Sequence, residues 1–206
     1  MSCIHPCYLR NCGIGDSLAK ALADATPPAP TFARVFLNDN RLTAAGVRPL
    51  LQKLATFHLT TLDLSSNHIG HHGARAIADA LKTAPIVELK LENCRLGDAA
   101  SAVVAKAARP PLATLNMSRC EVGRTAASAL GAMLARVDTI EQLDLSWNSV
   151  RGSGAVKFAS GLAKNSSITV CLCVPVFAAY CTSRAYLLLS TASGHILERS
   201  RVLSEQ

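Results

Sequence analysis

A six-residue frame, apolar-x-x-apolar-x-apolar, recurs along the chain and is followed by Asn or Cys and then by an aliphatic residue. Its clearest copy begins at Leu59, contains Leu62 and Leu64, and is followed by Asn67. Subtracting neighbouring positions of the Asn/Cys residue gives intervals of 28, 27, 27, 26 and 28 residues. Such a fixed interval predicts a solenoid, in which each repeat packs against its neighbours only. We call the Asn/Cys position the rung, and it is occupied by Cys12, Asn40, Asn67, Cys94, Cys120 and Asn148.

Each repeat combines a strand signal with a helix signal. The frame alternates apolar and polar residues, as in Leu62-Asp63-Leu64-Ser65, which predicts a short strand. Apolar residues recur ten and, in the middle repeats, fourteen residues after the rung, and a separation of four places them on one helix face. Frames start at Ile4, Phe32, Leu59, Ile86, Leu112, Ile140 and, more weakly, Ile168, and the predicted helices are 16–25, 44–56, 71–83, 98–108, 124–135 and 152–164.

This pattern resembles the leucine-rich repeat family, and its repeat length and helix make it similar to the ribonuclease-inhibitor-like subclass. The resemblance covers residues 4–167 as six repeats of 26 to 28 residues. It implies an α/β solenoid shaped as a curved horseshoe segment, with parallel strands on the concave face and helices on the convex face. A buried Asn amide at the rung is expected to bond backbone groups of adjacent turns. Cys at three of the six rungs is a variation known in this subclass.

The pattern fails after Ile168, because Pro175 interrupts the frame and Val176 stands where the rung is expected. We expect residues 168–206 to form a degenerate seventh repeat or a C-terminal cap, since the last core layer of a solenoid needs a cover. A membrane-spanning helix over 168–189 is the alternative, although this stretch contains Pro175 and Arg184. The amino-terminal end has no polar cap before Ile4, so we expect that the chain can associate through uncapped solenoid ends.

The chain contains eight Cys residues, and their positions favour packing over disulfides. Three lie at rungs, which point inward, and Cys7 replaces an inward Leu, so we expect buried thiols in a reducing compartment. A zinc site from Cys3, His5, Cys7 and Cys12 is the alternative, but Cys7 and Cys12 already have predicted places in the core. No secretory signal is visible at the amino terminus, so the cytoplasm is the expected location and the nucleus is the alternative.

Three histidines, His68, His71 and His72, lie close together at the turn of the third repeat. We interpret them as solvated turn residues, because the third ligand and the supporting bonds that a metal site needs are not apparent. A catalytic constellation and a glycine-rich phosphate loop are not recognisable either. The sequence therefore predicts a protein that is not an enzyme and holds no cofactor or metal.

The formal charge of +7 raises nucleic acid as a partner, but the predicted placement of the charges argues against it. Four cations and five anions fall on the predicted concave face and its rim, so the basic excess lies on the helices and loops. This distribution argues against a nucleic-acid groove on the sheet. The cations are Arg10, Arg34, Lys90 and Arg119, and the anions are Asp39, Asp63, Glu88, Glu92 and Asp144.

Side chains between the inward apolar residues of each strand are expected to project from the concave face, and the residue after them forms a rim. Tyr8 and Phe36 share a column in neighbouring repeats, and Trp147, the only Trp, takes a rim position. Exposed aromatic side chains often anchor protein interfaces, although aromatics that shield the solenoid ends are the alternative. The predicted partner-binding residues are Tyr8, Arg10, Arg34, Phe36, Asn38, Asp63, Glu88, Lys90, Glu92, Asn116, Arg119, Asp144 and Trp147.

The resemblance implies a non-catalytic scaffold that recognises a protein partner through the concave face. Similar members include ribonuclease inhibitor, the sensor region of NOD-like receptors and the Ran GTPase-activating protein. The last gives an alternative function, activation of a small GTPase, but the loop residues on which such activity depends are not matched in this chain. Single-turnover GTP hydrolysis by candidate GTPases, with and without the chain, distinguishes the two functions.

Overall fold

The computed structural model describes residues 6–25 and 32–172, in which short strands alternate with helices. The helices agree with the predicted ranges to within two residues at every end, which confirms one strand and one helix per repeat. The strands are β1 (Pro6–Tyr8), β2 (Arg34–Phe36), β3 (Thr61–Asp63), β4 (Glu88–Lys90), β5 (Thr114–Asn116), β6 (Gln142–Asp144) and β7 (Val170–Leu172). The helices are α1 (Asp16–Ala25), α2 (Ala44–Leu54), α3 (Gly70–Thr83), α4 (Asp98–Ala107), α5 (Arg124–Leu134) and α6 (Gly152–Lys164).

The seven strands form one parallel sheet in sequence order. The register places equivalent frame residues side by side, so that Val35 lies opposite Leu62 and Leu62 opposite Leu89. Neighbouring strands lie about 4.8 Å apart, whereas packed helices need about 8–10 Å, so the helix layer follows the longer arc. The chain therefore curves with its strands on the concave side and its helices on the convex side. The α/β solenoid expected from the sequence is confirmed.

The hydrophobic core lies between the sheet and the helices. Ile77 and Leu81, ten and fourteen residues after their rung, are buried, as are Leu130 and Leu134 in α5. Helices α5 and α6 approach so closely that a side chain at Gly161 would overlap the backbone carbonyl of Gly131. The predicted helix face is therefore the packed one, and small residues set how near neighbouring helices come.

The Asn rungs tie successive repeats together through their side-chain amides. The Oδ1 of Asn40 accepts hydrogen bonds from the backbone N–H groups of Cys12 (3.1 Å) and Ile14 (2.9 Å) in the preceding repeat. Its Nδ2 donates to the carbonyl of Leu9 in that repeat and to that of Leu37 in its own, both at 2.8 Å. The amide ladder expected from the sequence is confirmed, and one side chain satisfies backbone groups of two turns.

The Cys rungs at Cys94 and Cys120 are buried, as expected. The Sγ of Cys94 donates to the carbonyl of Leu64 (3.2 Å), and that of Cys120 donates to the carbonyl of Leu91 (2.8 Å), each in the preceding repeat. Burial raises the pKa of both thiols, to about 11 for Cys120. These thiols remain protonated near neutral pH and act as small core side chains.

Cys12 departs from the prediction that it is a buried thiol, because its side chain is exposed. Its Sγ donates to the carbonyl of Arg10 in its own repeat (3.3 Å). A buried Cys rung is covered by the repeat before it, and among the described residues no such repeat precedes Cys12. Cys7 is half-buried and packs against the core, and burial raises the pKa of its thiol.

The frame continues past the point where the sequence pattern weakens. Ile168 and Cys171 are buried, and β7 pairs with β6 so that Cys171 lies opposite Leu143. Most of the expected seventh repeat or cap, and with it most of the alternative membrane span over 168–189, lies outside the described residues. None of the helices in the described ranges is both long and apolar enough to cross a membrane.

The frame start at Ile4 also lies outside the described residues, as do Cys3 and His5 of the alternative zinc site. Within residues 6–25 and 32–172, no group of three or more His, Cys, Asp or Glu side chains is arranged to hold a metal ion. His71 and His72 are exposed, with ring centroids 3.9 Å apart.

Candidate functional site: the concave face and its rim

The register of the sheet brings the predicted concave side chains into columns. Tyr8 lies opposite Phe36, Phe36 opposite Asp63, and Asp63 opposite Lys90. Because equivalent residues point to the same side of a parallel sheet, this column runs across all seven strands. It consists of Tyr8, Phe36, Asp63, Lys90, Asn116, Asp144 and Leu172.

An aromatic pair occupies the first two strands of this column. The rings of Tyr8 and Phe36 are stacked, with centroids 4.9 Å apart and an interplanar angle of 9°. Tyr8 is 68% exposed and Phe36 is partly exposed. The prediction that these residues lie side by side is confirmed, and they form an apolar platform with a phenol at its edge.

The side chain of Asp63 is less exposed on the concave face than those of the other predicted partner-binding residues. It is only 9% exposed, and its neighbour Thr61 is 6% exposed. In the sheet, Asp63 lies between Phe36 and Lys90 of the two neighbouring strands. Its Oδ1 accepts a hydrogen bond from the backbone N–H of Ser65 (2.9 Å). Asp63 therefore takes its predicted place in the concave column but exposes little of its side chain, and its role as a partner-binding residue stays a prediction.

Two of the four predicted cations are engaged in ion pairs on the face itself. Lys90 Nζ lies 2.8 Å from Glu88 Oε1, and Arg10 Nε lies 3.0 Å from Asp39 Oδ2. Asn38 donates to the same oxygen of Asp39 at 3.0 Å. Such partly exposed pairs contribute little to stability, but they neutralise charge that a partner would otherwise meet.

The rim residues share one backbone conformation that the sequence analysis missed. All six have φ between 51° and 59°, the left-handed region in which side chains other than those of Gly, Asn and Asp are strained. In five of the six, all but Trp147, the N–H group is seen to extend the pairing between strands, as in the bond from Arg119 N to Ser146 O (3.0 Å). Asn or Asp at three of these positions was the sequence signal from which the left-handed conformation could have been predicted, because these residues tolerate it. The rim consists of Asn11, Asp39, Ser66, Asn93, Arg119 and Trp147.

Trp147 is the most unusual member of the rim. It is 72% exposed, and its φ of 59° is rare for a bulky residue. The guanidinium carbon of Arg119 lies 5.1 Å from the centroid of its ring, a cation–π arrangement between neighbouring repeats. A large aromatic residue held exposed in a strained conformation points to a function for the side chain.

A small pocket of about 170 Å³ lies on the concave face at the other end of the sheet. Lys90, Asn116 and Asp144 line it together with Val170 and Leu172 of β7. Val170 and Leu172 were not predicted as site residues, although the alternation Val170-Cys171-Leu172 was a strand signal. The face thus changes from aromatic at β1 and β2, through charged, to aliphatic at β7.

Known proteins share this repeat pattern. The family model described as Leucine Rich repeat matches residues 57–78 and 139–159. Ribonuclease inhibitor from Sus scrofa is 26% identical over 164 residues, covering 77% of this chain and 36% of the inhibitor. NACHT, LRR and PYD domains-containing protein 12 from Mus musculus is 27% identical over 160 residues, covering 75% of this chain and 15% of that protein. Tonsoku-like protein from Bos taurus is 35% identical over 125 residues, covering 55% of this chain and 9% of that protein.

The chain therefore spans little more than a third of the inhibitor and smaller shares of the other two relatives. The similarity to the inhibitor and to the NACHT protein extends over three quarters of this chain or more, which includes most of the repeats. Repeat length, the parallel sheet with one helix per repeat, the amide ladder and these similarities agree. The chain is a leucine-rich repeat protein of the ribonuclease-inhibitor-like kind.

Proposed function

We propose that this chain is a non-catalytic scaffold that binds a protein partner through the concave face and its rim. The observation that carries the proposal is Trp147, which is exposed, is strained at φ 59° and has the guanidinium group of Arg119 over its ring. An exposed Trp outside the hydrophobic core suits contact with another molecule, and Trp is enriched among the residues that dominate binding energy.

The stack of Tyr8 and Phe36 supplies a second anchor on the same side of the sheet. Between the two anchors lie partly exposed polar side chains such as Glu92 and Asn116, which suit the polar part of an interface. The remaining predicted contact residues lie on this surface as well, with Asp63 as the buried exception. Aromatic anchors with polar residues between them fit a protein surface better than a small substrate.

The family supports the same function in general terms. Leucine-rich repeat proteins typically serve as protein-interaction domains, and the relatives are a ribonuclease inhibitor and NACHT proteins. The identity of the partner is a separate matter, since the similarity covers only part of each relative. A cytoplasmic location is part of the proposal and is supported by the free thiols of Cys7, Cys12, Cys94 and Cys120, which are typical of a reducing compartment.

The test is quantitative affinity capture with the intact chain and matched variants. Trp147→Asn and Tyr8→Ala/Phe36→Ala each remove one anchor, and Asn tolerates the left-handed backbone at position 147. Val156→Ala is the control, because Val156 is an exposed apolar residue on the convex side of the same repeat. We expect the partner recovered with the wild type to fall at least tenfold in both anchor variants and to stay unchanged in the control.

Full recovery of every partner by both anchor variants would show that the predicted contact residues are wrong. Acceleration of single-turnover GTP hydrolysis by the wild-type chain would replace the scaffold with a GTPase-activating function.

A further inference from the structure

A groove of about 680 Å³ opens between α2 and α3 on the convex side, opposite the face assigned to the partner above. Five of its lining residues are alanines, whose short side chains leave the space between the two helices open. Helices α5 and α6 show the contrasting arrangement, because glycines bring their backbones into contact. The volume lies within the range of about 300–1,000 Å³ that is usual for ligand sites.

The polar lining of the groove comes from equivalent positions of two successive repeats. Arg48 and Arg75 each lie eight residues after their rungs, and Thr56 and Thr83 each lie sixteen after them. Because successive turns of a helix are about 5.4 Å apart, the arginines mark one end of the groove and the threonines the other. The groove is therefore elongated along the helices, with a basic end and a hydroxyl end.

The basic end carries uncompensated positive charge. Arg48 and Arg75 are exposed, and neither forms an ion pair with any described residue. The carboxylate of the groove, Asp79, is already bonded to Lys82 Nζ at 3.2 Å. His72 also lines the basic end and lies in the first turn of α3, where the helix dipole attracts negative charge.

This charge is a local feature and does not recur along the solenoid. The position eight residues after the rung holds a cation only in the first three repeats, as Lys20, Arg48 and Arg75. In the last three repeats it holds Ala102, Ser128 and Val156.

The hydroxyl end suits a peptide backbone. The Oγ1 of Thr56 donates to the carbonyl of Lys53 (2.7 Å), and that of Thr83 donates to the carbonyl of Asp79 (3.0 Å). Each hydroxyl therefore keeps its lone pairs available to accept an N–H group.

We propose that the α2–α3 groove binds an acidic, extended segment of a protein. The carboxylates of the bound segment lie against Arg48 and Arg75, whose guanidinium groups form charge-assisted hydrogen bonds with them. The backbone of the segment continues towards Thr56 and Thr83. A single phosphate would fill only a small part of this volume, which favours an extended segment. This site is independent of the concave face, so one scaffold holds two protein segments on opposite sides.

Fluorescence anisotropy with the full chain and two labelled peptides tests the proposal. The probe is a decapeptide that alternates Glu with Ala, and the matched peptide has Gln in place of Glu. The variant Arg48→Gln/Arg75→Gln removes the basic end, and Lys106→Gln/Lys157→Gln removes the same charge elsewhere on the convex side. We expect the Glu peptide to lose at least tenfold in affinity with the groove variant and less than twofold with the control, and the Gln peptide not to bind.

A second variant, Ala45→Trp, fills the groove without changing its charge, and we expect it to weaken binding of the Glu peptide at least fivefold. Equal weakening by the two charge variants, no effect of Ala45→Trp, or no binding by the wild type would each overturn the proposal. A single-stranded oligonucleotide of equal charge that binds more tightly than the peptide, and is lost in the groove variant, would overturn the peptide as occupant.

Discussion

The rungs formed by Asn and those formed by Cys occupy the same place in the repeat but hold the chain differently. Asn67 is fully buried, accepts a hydrogen bond from Leu42 N (3.1 Å), and donates to the carbonyls of Leu37 (2.9 Å) and Leu64 (2.8 Å). The thiol of Cys94, one repeat later, donates to Leu64 O alone in the preceding repeat. An amide thus serves both donors and acceptors of the neighbouring turn, whereas a thiol serves one acceptor.

At the Cys rungs, backbone hydrogen bonds between repeats replace some of the bonds that an Asn amide would form. Gly70 N donates to the carbonyl of Cys94 (3.0 Å), and Gly97 N donates to that of Cys120 (3.1 Å). The residue after each Cys rung is left-handed, whereas in the described chain the residues after the Asn rungs are not. The rung residue therefore selects the turn that follows it. The left-handed residues are Gly13, Arg95 and Glu121, and their counterparts after Asn are Arg41, His68 and Ser149.

In two of the repeats with a Cys rung, an Asp carboxylate also accepts hydrogen bonds from backbone N–H groups at the start of the next repeat's helix. Asp98, four residues after Cys94, accepts hydrogen bonds from the N–H groups of Gly123 (2.9 Å), Thr125 (2.9 Å) and Ala126 (2.7 Å). Asp16, four residues after Cys12, accepts one from Thr43 N (2.8 Å). These carboxylates cap the helix of the following repeat, which satisfies donors that a helix N-terminus leaves open.

The largest expected effect comes from removing an amide rung. Asn67→Ala should lower the free energy of unfolding by about 3–4 kcal/mol, because several buried backbone groups lose their partner. Cys94→Ala should cost about 1–2 kcal/mol, since it removes one weak donor and a small core volume. Urea unfolding measures both, and equal losses for the two variants would contradict the difference drawn between amide and thiol rungs.

Exchanging one rung type for the other tests whether the rung selects the turn. Asn67→Cys should cost about 2–3 kcal/mol, because His68 does not have the left-handed backbone that follows a Cys rung. His68→Gly should recover about 1 kcal/mol in that background and cost stability in the wild type. A double-mutant cycle by urea unfolding measures this coupling. Additive effects would mean that rung and turn are independent.

The carboxylate cap predicts a pH dependence of stability. Burial opposes ionisation of Asp98, but the donations from Ala126, Thr125 and Gly123 outweigh it and hold its pKa below the ordinary value. The stabilisation is therefore complete above the unfolded pKa, near 3.9, and is lost as the pH falls through the folded pKa. Asp98→Asn should cost about 1 kcal/mol at neutral pH, and the cost should shrink below about pH 4.

Urea titrations of wild type and Asp98→Asn at several pH values measure this effect. Asp138→Asn provides the control, because Asp138 is exposed. A cost for Asp98→Asn that stays the same down to pH 2 would rule out the ionised cap.

The smallest expected effect concerns the residues after the rungs. Arg95 follows a Cys rung with φ 52°, so Arg95→Gly should raise the free energy of unfolding by about 0.5–1 kcal/mol by relieving strain. Arg41 follows an Asn rung outside the left-handed region, so Arg41→Gly should lower it by a similar amount. Thermal unfolding of Arg95→Gly and Arg41→Gly measures whether each variant gains or loses stability. A change in the same direction for both would contradict the claim that Cys rungs and Asn rungs are followed by different backbone conformations.

Much of the fold follows from periodicity alone. The helix ends, the strand positions and the burial of Ile77 and Leu81 are local consequences of where apolar residues recur. The adjacency of Tyr8 and Phe36 followed from repeat register. The boundaries at 4–167 and 168–206 stay a prediction, since parts of both ranges lie outside the described residues.

The site was less predictable than the fold, because its properties depend on pairs of residues about 27 positions apart. Asp63, between Phe36 and Lys90 of the neighbouring strands, is buried, whereas Cys12, before which no described repeat packs, is exposed. The groove between α2 and α3 depends on how far the alanines let two helices approach. A sequence pattern predicts the face of the sheet or helix on which a residue lies, whereas the residues of neighbouring repeats decide whether its side chain is exposed to solvent or to a partner.

The sequence by itself determined the repeat, its register, the solenoid and the places of the rungs, because these follow from apolar residues that recur at a fixed interval. The tertiary structure alone decided the left-handed rim with Arg119 over the ring of Trp147, the two kinds of turn after the rungs, and the basic groove on the convex side. These features arise from hydrogen bonds and contacts between repeats, and such contacts exist only once the repeats have stacked.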